Sequence, residues 1–231
     1  MKMTNTLAIF RKQLKDTLKN KTILIQFIMF PLMTLVMNRT VQMEGMPHNF
    51  FVNLFATMYI GMAPLTSMAA IISEEKEQNT LRVLLMSDVK PFEYLLGIGA
   101  YVWSGCMAGA AVICMAGRFC LTEGISFLCI LSFGILASLL LGAAIGTFSN
   151  TQMMATSITV PVMMFFSFLP MISMFNATAS KIAKLTYSGQ IGLLLGQPGR
   201  PQADMKDIAI ILLNLLLFTA LFTAAYKKRG L

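Results

Sequence analysis

Charge is what this chain of 231 residues has least of: Asp, Glu, Lys and Arg make up 12% of it. None of them falls inside any of its long apolar runs. An ion-coupled transporter generally binds and releases its coupling charge at membrane depth, where it needs an ionisable group. Coupling through backbone carbonyls stays open, but the uncharged runs weigh against that class. Histidine is also scarce, with His48 alone, and the four cysteines (Cys106, Cys114, Cys120, Cys129) lack CxxC spacing. No metal-ligand set results, and the cysteines read as small apolar packing residues. There is no Ser/His or paired-Asp arrangement within the runs, so no catalytic residue is assigned. A GxxxxGK[ST] loop is missing as well, so the chain has no Gly-rich cradle for ATP phosphates. If energy drives this protein, another chain supplies it.

What is present is hydrophobic. Fully 56% of residues are apolar and the mean hydropathy is +0.71, which places the chain among all-α polytopic membrane proteins with no sizeable soluble domain. A spanning helix needs about 20 largely apolar residues, and six such runs are predicted, at about 22–37, 50–72, 95–117, 125–148, 153–175 and 208–226, making 1–231 a single transmembrane domain. Residues 4–21 place Leu7, Phe10, Leu14 and Leu18 at helical spacing among basic residues, the pattern of an amphipathic helix lying on an anionic leaflet. The net charge of +8 clusters beside apolar runs and does not form a nucleic-acid patch. With twelve Lys and Arg on one side of the membrane and six on the other, the positive-inside rule puts both termini in the cytoplasm. The 176–206 connection holds a mildly apolar run, Ile191–Gly196, too short to cross, which predicts a re-entrant or interfacial helix on the outer face. Small residues recur in the fourth run (Gly134, Ala137, Ser138, Gly142, Ala143, Ala144, Gly146), as close packing requires and as membrane helices commonly show.

Five of the ten acidic residues gather in one polar segment, 73–94, between the second and third runs. Glu74, Glu75 and Glu77 follow the second run, and Leu81, Leu84 and Leu85 then recur at i, i+3 and i+4. A short cytosolic helix with a narrow leucine stripe is predicted, Thr80 serving as its N-cap and Pro91 opening the next helix. Two readings stand beside each other. The leucines rest on the membrane surface of a solvated loop, or they form a knob that fits a groove on a cytosolic partner.

The stretch Ile72-Ser-Glu-Glu-Lys-Glu-Gln-Asn-Thr-Leu-Arg-Val-Leu-Leu-Met-Ser-Asp-Val-Lys-Pro-Phe-Glu-Tyr-Leu-Leu-Gly97 resembles the signature of ABC type-2 permeases. In that family an acidic E-x-x-x-x-T-L/E-x-L-L run follows the second span, and a turn leads to Leu-Gly-Lys at the third. The basic N-terminal helix, six spans and a re-entrant segment before the sixth are similar too. Arg82 stands where the family often has Glu, and Ile98 where it often has Lys. The resemblance implies that Glu74, Glu75, Glu77, Thr80, Leu81, Leu84 and Leu85 form the coupling region of an exporter's membrane subunit. It further implies an ATP-binding cassette ATPase as partner, carrying ATP and Mg, and a second permease subunit, in a homodimer or heterodimer in the lipid of the cell membrane. Spans two and five would line the path, which makes Phe55, Tyr59, Phe165 and Phe168 candidate contacts for an amphipathic peptide, drug or lipid-like cargo. For any single one of these residues, a belt or packing aromatic is the stronger reading. A non-transporting immunity or scaffold protein docking through the same knob is the rival reading.

Overall fold

The computed structural model describes residues 3–19, 21–41, 49–81, 90–196 and 205–229. Helix is the only regular element among the described residues: α1 (Met3–Lys19), α2 (Lys21–Thr40), α3 (Phe50–Glu77), α4 (Pro91–Ala116), α5 (Leu121–Phe148), α6 (Gln152–Ser173), α7 (Ala177–Ala183), α8 (Tyr187–Leu195) and α9 (Met205–Arg229). Six of these, α2 to α6 and α9, are long and apolar enough to cross a membrane, in agreement with the all-α polytopic class. The second span differs in extent. Its apolar run ends at Ile72, but α3 continues through Glu77, because hydropathy marks where lipid ends while Glu and Lys remain good helix formers. Thr80 and Leu81 are helical, and Asn79 before them has a φ of 57°.

α3 is the centre of the bundle. Its apolar window is 78% buried, against 28% for α2 and α6 and 17% for α9. It packs against α2, α4, α5, α6 and α8. Small side chains make this possible on both sides of the main contact: a Cβ on Gly142 of α5 would lie 2.5 Å from the Leu65 carbonyl oxygen, and one on Gly146 would lie 3.1 Å from the carbonyl oxygen of Ala69 on α3. The small residues of the fourth run therefore serve close approach, the packing mode that membrane helices rely on when burial from water is not available.

Four prolines lie inside spans, Pro31, Pro64, Pro161 and Pro170; each leaves a carbonyl without its i+4 donor, and in lipid an unmet carbonyl is costly. At Pro64 and Pro31 the structure meets that carbonyl from a neighbouring helix. Pro64 of α3 strips the donor from the Ile60 carbonyl, which instead accepts from the Ser138 hydroxyl of α5. The Tyr187 hydroxyl of α8 lies 2.6 Å from the same Ser138 oxygen. Pro31 of α2 does the same to Phe27, whose carbonyl accepts from Tyr59 of α3 at 3.4 Å.

α8 is too short to span but is far from peripheral. Tyr187 and Ile191 are fully buried, and the helix sits against α3, α5, α6 and α9. Asn53, near the start of α3, donates to the Leu195 carbonyl at 2.8 Å. Asn176 and Thr186 cap α7 and α8 through their side-chain oxygens. This pair of short helices thus occupies the end of the bundle where α3 begins.

On α1 the buried positions are Ile9, Gln13 and Thr17, while Leu7 and Leu14 are exposed, as leucines turned toward lipid would be, and a more polar stripe meets the protein. One finer expectation changes. Among the cysteines only Cys106 is buried; Cys120 and Cys129 are exposed. Cys120 stands at the N-cap of α5, which is why it does not pack.

Candidate functional site

The end of α3 opposite α8 gathers the acidic stretch, and consecutive side chains there reach different helices. Glu75 is buried. One of its carboxylate oxygens accepts from Lys12 Nζ at 2.5 Å and from Gln13 Nε2 at 2.7 Å, both on α1. Its other oxygen accepts from the hydroxyl of Tyr94 on α4, a side chain with no exposed surface. Three donors on two oxygens leave this carboxylate working as an acceptor only, the role its ionised form fills. A buried charge is tolerated when it is paired and hydrogen-bonded in this way.

The next two residues go elsewhere. Lys76 Nζ donates to the Thr147 carbonyl at 2.6 Å, meeting one of the terminal carbonyls of α5 with a cation at that helix's negative end. Glu77 accepts from the backbone N–H of Gln152 at 2.7 Å, the first residue of α6, with an anion at that helix's positive end. Thr151 caps the same helix through Met154 N at 3.2 Å. The turn between α5 and α6 is therefore held to α3 from both sides. Glu74 accepts from Gln78 Nε2 at 3.3 Å.

Five of the seven coupling residues proposed from sequence fall together at this end. Glu74, Glu75 and Glu77 lie on the last turns of α3 and not on a separate helix. Thr80 donates to the Glu75 carbonyl at 3.1 Å, and Leu81 is 2% exposed. Leu84 and Leu85 lie outside the described residues. The four aromatic path residues are not brought to one place. Tyr59 is fully buried, its ring 6.2 Å from Phe30; Phe55 is half-buried between Phe30 and Phe51. These two face α2. Phe165 and Phe168 are 46% and 37% exposed on α6.

Sequence reasoning missed Lys12, Gln13 and Tyr94. Gln13 carried the one usable signal: a neutral polar residue at i+4 from Ile9, on the side of α1 away from its leucine stripe. The α1 approach is itself close, since a Cβ on Gly97 of α4 would lie 2.8 Å from Ile9, and Phe10 meets Tyr101 edge-on with centroids 5.8 Å apart.

No match is found among curated proteins. The family model described as ABC-2 family transporter protein matches residues 1–226, which is nearly the whole chain and includes both the α1 clasp and the acidic end of α3. The chain belongs to the ABC-2 transporter family, as a multi-pass membrane subunit whose family implies partnership with an ATP-binding cassette component.

Proposed function

We propose that this chain is the translocating subunit of an ATP-binding cassette exporter that moves an amphipathic peptide, drug or lipid-like molecule outward. In this reading ATP and Mg are bound by a separate ATPase, and a second permease subunit completes the path. Both termini and the 73–94 segment face the cytoplasm, as the excess of Lys and Arg on that side supports.

The observation that carries the reading is the Glu75 cluster. The segment resembling the ABC type-2 coupling region begins on a helix end tied to α1, α4, α5 and α6 by Glu75, Lys76 and Glu77. Force applied to 78–90 by a cytosolic ATPase would reach all four helices through polar contacts a few ångströms long. Energy entry at this point needs no nucleotide site in the chain, in keeping with a sequence that holds no GxxxxGK[ST] loop.

The test is copurification of the full chain with an ATP-binding cassette ATPase that lacks spans of its own, together with ATP hydrolysis measured with and without candidate cargo. Replacing Leu84 and Leu85 with Asp should leave membrane insertion intact and abolish association, because a charge is not cheaply desolvated in an apolar groove. Undiminished copurification of the double variant would remove the coupling assignment.

A further inference from the structure

An apolar groove of about 310 Å³ lies between α5, α6 and α9, and neither the Glu75 cluster nor the aromatic path residues take part in it. Its walls are Leu141, Ala144, Ile145 and Phe148 on α5 and Leu221, Ala224, Ala225 and Lys228 on α9, with Ile158 of α6 closing one side. The two main walls use the same spacing, i, i+3, i+4 and i+7, which keeps four side chains on one face of each helix. They also run in the same direction. Thr147, near the end of α5, is held by Lys76, so the groove opens at the Glu75 face, and seven residues of helix give it a depth of about 10 Å.

Three alanines leave the space, and everything below the mouth is hydrocarbon. The mouth is different: among the described residues Lys228 is the only charged one of the lining, with no acid beside it there. Leu216 and Leu217 of α9 are exposed on the turns before the wall residue Leu221, on a helix long and apolar enough to span. A cleft with apolar walls at bilayer depth and a lysine at headgroup level matches a molecule with an alkyl chain and an anionic head.

We propose that this groove binds one anionic phospholipid from the leaflet at the Glu75 face, an acyl chain lying between α5 and α9 and the headgroup phosphate meeting Lys228. The site is independent of the cargo path and of the ATPase contact. It would seat α9 against α5 on the side where the α5–α6 turn is clipped to α3.

The test uses the full chain in nanodiscs of phosphatidylcholine with a minor fraction of phosphatidylglycerol, followed by detergent extraction and quantitative mass spectrometry of the retained lipid. The wild-type chain should retain phosphatidylglycerol above its bulk share. Lys228→Gln should lower that enrichment about fivefold, as expected for loss of one lysine near the surface. Lys227→Gln, which removes the neighbouring charge outside the lining, should lower it distinctly less. Ala224→Trp should lower retention of both lipids by filling the groove; if that variant does not fold, the two lysine variants decide alone. Equal losses from Lys227→Gln and Lys228→Gln would mean general surface attraction and overturn the site. So would an Ala225→Cys chain that cross-links to a second copy where the wild-type chain does not, since the groove would then be filled by protein.

Discussion

Replacing Glu75 with Ala should release α1 from the bundle without unfolding the remainder. The substitution removes the acceptor that Lys12 and Gln13 share. A hydrogen bond to a charged group contributes about 1.5–3 kcal/mol, and this is the value to assign to Gln13, which is buried. Lys12 is 36% exposed on its side chain, so solvent screens it and its share is about 0–1 kcal/mol. The loss to α1 docking is then about 1.5–4 kcal/mol, which converts to about 10- to 900-fold faster amide exchange through local opening. The assay is hydrogen–deuterium exchange of the full chain in detergent, resolved by peptide. Peptides from 6–17 should lose protection by that factor, while those from α5 and α8 keep theirs. Glu77→Ala provides the contrast, since its carboxylate holds only the start of α6 among the bonds described here; about 1 kcal/mol, or fivefold, should be lost there and nothing on α1. Unchanged exchange over 6–17 in Glu75→Ala, or loss spread evenly over every helix, would refute the claim that this carboxylate is what clasps α1.

Other outcomes follow from the packing. Gly97→Val should open α1 by a route independent of charge, because the new Cβ would lie 2.8 Å from Ile9; the same exchange experiment reads it. Gly142→Leu should lower the thermal unfolding midpoint in detergent by forcing α5 away from the Leu65 carbonyl, an overpacking cost of about 1–3 kcal/mol or more. Ser138→Ala should cost about 1–2 kcal/mol in the wild-type background by stranding the Ile60 carbonyl. In a Pro64→Ala background, where residue 64 regains its N–H, the same change should cost about 1 kcal/mol less, the remaining loss being that of the partner of the buried Tyr187 hydroxyl. A thermal-unfolding double-mutant cycle with no coupling between these positions would show that Ser138 does not compensate for the proline.

Much of this architecture could be read from order and composition, and the exceptions have physical causes. Span number follows from apolar run length, which a single sequence displays directly. The amphipathic α1 was legible as a helix, but which of its faces meets protein was not: leucine spacing points to an apolar neighbour, and lipid serves as well as protein. Glu75 shows the sharpest limit. An acid at the edge of an apolar run looks solvated, and its burial depends on Lys12 and Gln13, some sixty residues earlier in the chain. The extension of α3 through Glu77 was hidden because hydropathy falls before helix propensity does. The proline compensations could be anticipated as a need and not as an assignment, since any hydroxyl at the right depth could have met the Ile60 carbonyl.

The length and burial of α3 have a mechanical consequence. Its 28 residues form a rod of about 42 Å, touching five neighbours and notched near its middle at Pro64. A tilt of roughly ten degrees about that notch would carry either tip through about 3.5 Å. Such a tilt would be small in angle, yet it exceeds the reach of a hydrogen bond. The clasped tip and the tip beneath α8 would thus behave as opposite arms of a see-saw, in which contacts broken at one side of the membrane and contacts broken at the other belong to the same stroke.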